Sequence, residues 1–471
     1  MALIDSLPHP PTGYDTMHPP AVGQSYVDPV FGTEVWRVTD HAAVGVDFLT
    51  GEYSTQSAIN ADGTILRAIT PSGGSRFYST TPPFPLIVAR SLPATSPSDV
   101  WWHPTNPDLM YHVAWNGALY VYDVSSNTDT IIAQFPYTQV QGGAGNQLSL
   151  DGTRIAFLGN NRTIAFMYDI PTDQIVATVD LTGMSLGDFA TAPSGDRVVI
   201  NVKDFVPTLP HVYKVQGNAL VLEGVFPGHP TSGWGHSDLG RGLDGDDYFV
   251  GVESWTTNGI HKFRLADTGD PQMQPEMLLQ LGWNAPHSSA LHLSANAMHL
   301  DGKVAVATYT VGDPDPVSEP GWSWPPYFGE VFLLDTETSG VERLLHHRSR
   351  LDQPNGDYYY SMPRVSRSHD GTKIVYASNF RQRITNPPQP PEHSDVYMLE
   401  VGQGAPPTMA QIDELKAMLS DPDPAHGGSI PFNETVIPAQ PPNPGTPART
   451  EIVVAGQTWT FDELGNLVSV G

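Results

Sequence analysis

The feature that most constrains the fold is an internal repeat in which a polar turn, often Asp-Gly or Ser-Gly, precedes an apolar strand. The unit reads "SLDGTRIAFL" from Ser149 and "SHDGTKIVYAS" from Ser368. Most turns are followed by a second strand rich in aromatic and β-branched residues, as in "LYVYDV" from Leu119. The seven turns are marked by Gly63, Pro107, Gly152, Gly195, Gly245, Gly302 and Gly371, at spacings of 44, 45, 43, 50, 57 and 69 residues.

A unit of about four strands that recurs at this spacing is typical of the blades of a β-propeller. Each blade has two apolar faces, and stacking the blades around an axis buries both at roughly 25 cal/mol per Å2 of apolar surface. Seven turns therefore predict seven blades. "TEVWRVTD" from Thr33 has the outer-strand pattern without a turn unit before it. We expect this N-terminal strand to complete the last blade and close the ring, which removes the free edges between the first and last blades.

The propeller pattern covers only part of the chain, and the sequence predicts four segments. They are an N-terminal extension over 1–32, an all-β seven-bladed propeller over 33–402, a helix with a proline-rich linker over 403–449, and a small β-hairpin over 450–471. The helix is indicated by the periodicity of "PTMAQIDELKAMLSD". We expect the C-terminal extension to pack on the propeller, pair with another subunit or bind a larger assembly.

Composition narrows the classes of partner. Lys and Arg total 23 against 50 Asp and Glu, which gives a net charge of −27. This charge would repel a phosphate backbone, so we do not expect nucleic acid as a partner. Divalent cations are compatible with the negative charge. The absence of cysteine excludes disulfides, thiolate metal sites and a cysteine nucleophile.

The first residues, "MALIDSLPHPPTGYD", show neither the basic region nor the apolar run of a signal peptide. No window of apolar residues is long enough to span a membrane. An extracellular, cell-surface or virion-associated location is the hypothesis that we carry forward.

The starts of the innermost strands ring the central channel of a propeller, where ligands usually bind. Residues two apart in an extended strand share a face, so His236 and Asp238 in "GHSDLGR" should point together. His287 begins the next inner segment, and Arg364 and Arg367 begin the one after it. Histidine, aspartate and arginine from three adjacent blades are therefore expected at one channel mouth, where they would contact a ligand.

One interpretation of this group is catalytic. His236 would act as a general base, and Arg364 would neutralise a carboxylate. These are the requirements of β-elimination from a uronic acid, whose proton beside the carboxylate is only weakly acidic. Tyr359, or its neighbours Tyr358 and Tyr360, could supply the acid for the leaving oxygen.

Two other interpretations stay open for the same group. His236, Asp238, His287 and His292 could hold a divalent metal ion. Alternatively, these side chains are hydrogen-bonded channel groups that hold the ends of the blades together.

Aromatic residues form a separate set of predicted ligand contacts. Trp101 and Trp102 lie in the second blade, where we expect one of them to be buried. Trp322 and Trp324 lie in the proline-rich insertion over 308–328, which we expect to be more exposed. Trp101, Trp322 and Trp324 are the predicted sugar contacts, since an exposed indole face stacks on a sugar ring; otherwise they fill gaps between blades.

Four motifs carry a resemblance to known families: "VFGTEVWRVTD", "SDVWWHPTNPDLMYH", "GHSDLG" and "MPRVSRSHDGTKIVYASN". Over about residues 30–401 they resemble bacterial TolB-like propellers and the propeller polysaccharide lyases, namely oligogalacturonate lyases and ulvan lyases. The resemblance implies a histidine-centred site, with manganese in the oligogalacturonate enzymes and a His/Tyr/Arg set in the ulvan enzymes. His236, His287 and Arg364 are the residues here that match such a site. The cofactor hypothesis is accordingly a divalent cation, calcium or manganese.

The leading functional hypothesis is a propeller that binds an extracellular carbohydrate or a protein partner, with the C-terminal extension attaching it to something larger. The first alternative is a polysaccharide lyase that cleaves a uronate-containing glycan by β-elimination. The second is a purely structural propeller.

Overall fold

Each turn-and-strand repeat forms an antiparallel β-meander in the computed structural model of the chain. Residues 1–401 and 402–471 form two compact units, which are described separately. The structure describes residues 4–14, 16–203, 209–226, 234–253, 259–270, 272–281, 289–310, 324–349, 351, 359–380, 393–401, 450–454, 457–461 and 467–470.

The strands before and within the first repeats build two sheets and the start of a third. Strands β1 (Ser25–Val27) and β2 (Glu34–Arg37) come first. The next sheet contains β3 (Ile65–Ile69), β4 (Ser75–Ser79) and β5 (Leu86–Arg90). The sheet after it contains β6 (Val100–Trp102), β7 (Leu109–Val113), β8 (Ala118–Asp123) and β9 (Thr128–Gln134).

The middle of the unit holds a seven-stranded sheet in which two meanders meet at their outer edges. The first meander is β10 (Arg154–Gly159), β11 (Ile164–Asp169) and β12 (Gln174–Asp180). The second is β13 (Leu186–Thr191), β14 (Arg197–Val202), β15 (Leu209–Gln216) and β16 (Ala219–Val225). The two are joined by a single parallel pair, Thr178 with Ala219.

Three further sheets complete the propeller unit within the described residues. The first comprises β17 (Trp234–Arg241), β18 (Asp247–Glu253), β19 (Gly259–Arg264) and β20 (Glu276–Gln280). The second comprises β21 (Ser289–Ser294), β22 (Lys303–Thr310), β23 (Glu330–Asp335) and β24 (Val341–His346). The third joins β25 (Ser366–Arg367), β26 (Lys373–Ser378) and β27 (Asp395–Glu400) to β2 and β1.

Helix is scarce among the described residues. It is confined to α1 (His41–Val44), α2 (Met298–Asp301) and two 3-10 turns, Leu265–Asp267 and Tyr359–Ser361. No helix in the described ranges has the length and apolar character needed to cross a membrane. The all-β class and the β-propeller arrangement expected from the repeat are confirmed.

The Asp-Gly turns have a local cause that Gly152 illustrates. Asp151 accepts hydrogen bonds from the Ser149 hydroxyl at 2.6 Å and from the Thr153 N–H at 3.0 Å, which folds the chain back after the inner segment. Gly152 then adopts φ +74°, and the His103 ring packs so closely that an added Cβ would lie 2.4 Å from its Cε1 atom. Only glycine satisfies both conditions.

The sheets stack because their strands are apolar on both faces. Phe157 of β10 is fully buried, with its ring centroid 6.1 Å from that of Trp101 and 5.2 Å from that of Phe135. Its contacts therefore belong both to its own sheet and to the preceding β6–β9 sheet. Burial between neighbouring sheets is the source of stability that the repeat predicts.

The N-terminal strand β2 pairs with β27, as the sequence predicts. Trp36 lies opposite Met398, and Arg37 lies opposite Tyr397, in antiparallel register. The N–H of Val38 extends the ladder by donating to the Val396 carbonyl at 2.9 Å. The beginning and end of the propeller unit therefore share one sheet.

Asp395 holds this seam together through both carboxylate oxygens. They accept hydrogen bonds from the Arg37 guanidinium at 2.8 Å, the Thr39 hydroxyl at 3.0 Å and the His41 N–H at 2.7 Å. Burial opposes ionisation of Asp395, but the His41 hydrogen bonds and the Arg37 charge outweigh it and lower the pKa of the carboxyl group.

The C-terminal unit differs from the hairpin that the sequence predicts. β28 (Thr450–Val454), β29 (Gln457–Phe461) and β30 (Leu467–Val470) form a three-stranded antiparallel sheet, so the predicted hairpin gains one strand. The predicted helix and linker over 403–449 lie outside the described residues.

Replacing Asp395→Asn tests the seam. Leaving the partly buried Arg37 and His41 without the buried anion that they contact should lower the free energy of unfolding by about 3 kcal/mol at neutral pH in chemical denaturation. The pKa of Asp395 is lower in the folded than in the unfolded state, so its stabilisation is complete above about pH 4 and is lost as the pH falls through the folded value. The difference between native protein and variant should therefore shrink below about pH 4.

Asp108→Asn is the matched control, because Asp108 is exposed and its carboxylate has no partner among the described residues. A variant Asp395→Asn as stable as this control would show that the seam contributes little.

Candidate functional site

A cavity of about 260 Å3 lies where several inner strands begin. Tyr53 and Thr55, from the segment before β3, line one part of it, and Asp188 of β13 lines another. His236 and Asp238 of β17 line a third part. The structure thus brings residues that are distant in sequence to one recess. Of the histidine, aspartate and arginine side chains expected at the channel mouth, His236 and Asp238 line this cavity, whereas Arg364 is not among its lining residues.

His236 owes its position to a β-bulge. The register between β17 and β18 shifts between Trp234 and Ser237, so that His236 leaves the regular ladder. Its Nδ1 atom is hydrogen-bonded to the Leu291 carbonyl on the neighbouring strand β21. A carbonyl only accepts, so Nδ1 carries the proton and Nε2 keeps its lone pair in the neutral ring.

Burial lowers the pKa of His236, and the Arg364 charge adds to this effect. The hydrogen bond to Leu291 and the Asp188 carboxylate oppose it but do not reverse it. The ring is therefore neutral at physiological pH, which is the state that a general base requires.

Asp238 points toward the same neighbouring strand as His236 but has a different environment. It is 3% exposed, and its two oxygens accept hydrogen bonds from the N–H groups of Leu239 at 2.8 Å and Ala295 at 2.6 Å. Burial raises the pKa of its carboxyl group to about 8 despite these two bonds. Its contacts connect β17 to the end of β21, so it holds two sheets together.

His292 lies behind His236 and is almost completely buried. The two rings stack with centroids 4.6 Å apart and an interplanar angle of 14°, and Tyr309 stacks on His292 at 5.1 Å. The Tyr53 ring meets His292 edge-on at 5.5 Å. Burial, together with His236 and Arg364, holds the pKa of His292 well below its usual value, so this ring is neutral as well.

Arg364 places a positive charge beside the cavity, against the lining residue Tyr53. Its guanidinium carbon lies 4.2 Å from the Tyr359 ring centroid, 5.0 Å from that of Tyr360 and 6.0 Å from that of Tyr53. The residue is 5% exposed, and the one hydrogen bond of its guanidinium among the described residues is donated to the Tyr359 carbonyl at 3.3 Å. No carboxylate of the described ranges forms an ion pair with it. A buried guanidinium that lacks an anion is a favourable partner for a carboxylate ligand.

The residues proposed as metal ligands do not form a metal site in the described part of the chain. Asp238 uses both carboxylate oxygens on the N–H groups of Leu239 and Ala295. His236 keeps its Nε2 lone pair, but His292 is stacked behind it with the ring centroids 4.6 Å apart. No three donor atoms of this set lie close enough together to bind one ion. His287, the fourth predicted ligand, lies outside the described residues. The described residues do not fit a divalent cation here.

One other group of donors does lie close together, namely Asp40, His41 and Asp395 at the seam. The Arg37 guanidinium is 2.8 Å from Asp395 and 3.6 Å from Asp40, so a positive charge already occupies this cluster. Asp40 also caps α1 by accepting from the Ala42 N–H. The cluster is a possible acidic metal-binding group whose present contacts are structural.

Arg367 is not brought to the cavity. It is 2% exposed, and its guanidinium forms a two-point ion pair with Asp301, at 2.8 and 2.6 Å. It also donates to the Gly371 and Lys303 carbonyls. Its donors connect the last sheet to the preceding one, and few are left for a ligand.

The predicted aromatic contacts are buried where the structure describes them. Trp101 is 3% exposed and donates from Nε1 to the Asn146 carbonyl at 3.0 Å, and Trp102 is equally buried. Trp324 is 7% exposed and donates to the Phe328 carbonyl at 3.0 Å. The expectation that this end of the insertion is exposed is wrong, because Trp324 packs into the core beside Phe328. Trp322 lies outside the described residues.

Sequence reasoning missed two residues of the cavity, Tyr53 and Asp188. Tyr53 immediately precedes the inner segment "STQSAIN", and Asp188 lies within the inner segment "GDFATAP". The rule that selected His236, namely a polar residue at the start of an inner strand, would have found Asp188. Burial raises the pKa of Tyr53, with Tyr359 and Asp188 adding to the effect, so the hydroxyl stays protonated.

Comparison with known proteins identifies solved structures of similar fold. No model of a protein family matches the sequence, and no curated protein sequence is similar to it. An oligogalacturonate lyase from Vibrio parahaemolyticus superposes with a TM-score of 0.53 at 14% identity, covering 81% of this chain and 96% of that one. An oligogalacturonate lyase in complex with manganese gives a TM-score of 0.54 at 13% identity, covering 86% and 99%. The chain is thus similar in fold to a distant polysaccharide-lyase-like propeller, which confirms the resemblance carried by the motifs.

The pKa of Asp238 generates a test of its structural role. An aspartate whose folded-state pKa is raised binds its proton more tightly when folded, so its contribution to stability declines as pH rises from about 4 to about 8. Relative to Asp238→Asn, which does not titrate, the native protein should lose stability over this range, by at most about 1.4 kcal/mol per pH unit. Urea denaturation at a series of pH values measures the difference. A difference independent of pH would mean that Asp238 titrates normally.

Proposed function

We propose that the cavity binds a uronate-containing glycan and cleaves it by β-elimination. The observation that carries the proposal is the meeting of His236 and Arg364 at the Tyr53 ring, with centroid distances of 6.3 and 6.0 Å. His236 offers a free Nε2 lone pair, and Arg364 offers a positive charge that no carboxylate neutralises among the described residues. The fold similarity to oligogalacturonate lyases supports this choice over other chemistries.

The reaction needs no co-reactant. Nε2 of His236 takes the proton from the sugar carbon beside the carboxylate, and the electron pair of that C–H bond forms a carbon–carbon double bond. The bond between the adjacent carbon and the glycosidic oxygen breaks, and that oxygen takes a proton. The products are an unsaturated uronate at one end and a free sugar hydroxyl at the other.

Arg364 would stabilise the negative charge that develops on the carboxylate as the proton leaves. The guanidinium is already oriented by its contacts with the Tyr359 and Tyr360 rings. A charge that is oriented before the reaction stabilises a developing anion strongly where water is excluded. The nearby positive charge also keeps His236 neutral before the reaction.

Two tyrosines are available to protonate the leaving oxygen. Tyr53 lines the cavity, and its raised pKa keeps the hydroxyl protonated. Tyr359, the residue expected from the sequence, is 51% exposed and lies against Arg364 rather than in the cavity lining. We assign the acid to Tyr53 and the orientation of Arg364 to Tyr359.

The seven-bladed count is part of the proposal. It is supported by the seven turns and by the division of the seven-stranded sheet into two meanders joined by one residue pair. We also propose an extracellular or surface location, where such glycans occur, and assembly through residues 402–471. If the protein binds a glycan but does not cleave it, we propose a carbohydrate-binding propeller instead.

Cleavage is tested by incubating the protein with pectate, alginate, ulvan and unsulfated chondroitin and following the ultraviolet absorbance of new unsaturated uronates. His236→Ala should lower the rate on the preferred glycan by about 10²- to 10⁴-fold, since the general base is lost. Asp108→Asn is the control, because Asp108 is exposed and lies outside the cavity lining. Absence of cleavage of any glycan, or full activity of His236→Ala, would refute the mechanism.

Arg364→Lys and Arg364→Met separate charge from geometry at the same site. Lysine keeps the charge but not the planar fork, so it should retain part of the rate that methionine loses. Equal rates for the native protein and Arg364→Met would remove this residue from the mechanism.

The pH dependence has a defined direction. His236 acts as a base when neutral, so the rate should rise with pH through a pKa below the usual histidine value of about 6.5 and be complete above it. A cleavage rate that still rises with pH above about pH 6.5 would contradict this assignment.

A further inference from the structure

The cavity contains a carboxylate that the elimination does not use, that of Asp188. The residue lies on β13, its side chain is exposed, and it lines the same cavity as His236. No described residue forms an ion pair or a hydrogen bond with its carboxylate. An unpaired anion in a site for an anionic sugar requires an explanation.

The charges of Asp188 and Arg364 shift the pKa values of the same two residues, Tyr53 and His236, in opposite directions. The Asp188 charge raises the pKa of Tyr53 and opposes the lowering of the pKa of His236, whereas the Arg364 charge does the reverse at both. The two charges do not form an ion pair with each other. The site therefore combines a negative charge in the cavity lining with a positive charge against Tyr53.

We infer that the site selects a glycan in which a uronate alternates with an uncharged or cationic sugar, and that Asp188 excludes a second uronate beside the one held by Arg364. The inference rests on the proposed function and names its substrate class. Two like charges placed in one partly enclosed cavity repel each other, and such repulsion is a common means of rejecting a wrong partner.

The other polar groups of the cavity suit an uncharged neighbour. Thr55, Asn201 and Ser237 line it with neutral hydrogen-bonding side chains. The Asp188 carboxylate can accept hydrogen bonds from sugar hydroxyls, an amide N–H or an ammonium group. Each of these partners is attractive, whereas a carboxylate is not.

The charge of the whole chain acts in the same direction. A net charge of −27 repels a polymer that carries one negative charge at every sugar more than one that carries a charge at every second sugar. This long-range repulsion is screened beyond about 8 Å at physiological ionic strength, so the contribution of Asp188 is the one that persists there.

The test compares kcat/KM for two kinds of glycan at a constant physiological ionic strength. Heparosan and unsulfated chondroitin carry uronate at alternate positions, and polygalacturonate and polymannuronate carry it at every position. The native protein should prefer the alternating glycans by about tenfold or more. Asp188→Asn should reduce this preference by about tenfold through faster cleavage of the homopolymers.

Asp108→Asn is the matched control, because it removes the same charge at an exposed position outside the cavity, and its preference should equal that of the native protein. Asp188→Ser is a second variant in case the amide perturbs folding, and melting temperatures check both. Calorimetric binding of the same glycans to His236→Ala gives the selectivity without cleavage.

The outcomes separate the two claims. Equal kcat/KM for both kinds of glycan, or a preference unchanged in both Asp188 variants, would overturn the inference while the elimination stands. Selective binding without cleavage would overturn the elimination and support the role of Asp188. Neither binding nor cleavage of any of these glycans would overturn both.

Discussion

The pairing of β2 with β27 is the contact on which the rest of the propeller unit depends. Every other sheet in the described part of the unit is built from strands that follow one another closely, so each can form locally. The last sheet alone requires strands from both ends of the unit, Glu34–Arg37 and Asp395–Glu400. Without that pairing, the β27 edge would stay open, and the apolar faces beside it, which include Val38 and Val375, would be exposed to water. The Asp395 network adds charge and hydrogen bonds at the point where the chain leaves β2.

The candidate site also depends on the pairing of β2 with β27. Tyr53 follows the N-terminal strand, and Arg364 directly precedes β25 of the last sheet, so their contact crosses the seam. His236 and His292 belong to the two sheets that precede the last one, and both meet the same tyrosine ring. The polarity of the cavity therefore arises from groups that are distant in sequence and become neighbours when the ring closes. Burial beside Arg364 is also what keeps both histidines neutral.

Sequence periodicity predicts the sheets and the seam, because both follow from local alternation of apolar and polar residues. It also predicts that His236 and Arg364 share a neighbourhood, since each begins an inner segment. It does not predict that the Arg367 guanidinium forms an ion pair with Asp301, because that pair depends on how two sheets pack against each other. Nor does it separate core tryptophans from exposed ones, since an indole suits both environments. The bulge that sets His236 apart from Asp238 leaves no signature that alternation can detect.

The central claim is that the N-terminal strand is an integral part of the ring, and native-state hydrogen exchange of its amides tests this most directly. The Val38 amide, which donates to the Val396 carbonyl, should exchange with the same free energy as the amides of β10 in the middle of the unit, that is, only on global unfolding. The same protection should extend along Glu34–Arg37 wherever the amide is hydrogen-bonded. Exchange of Val38 at a much lower free energy than β10 would show that the seam opens independently, and it would contradict the account.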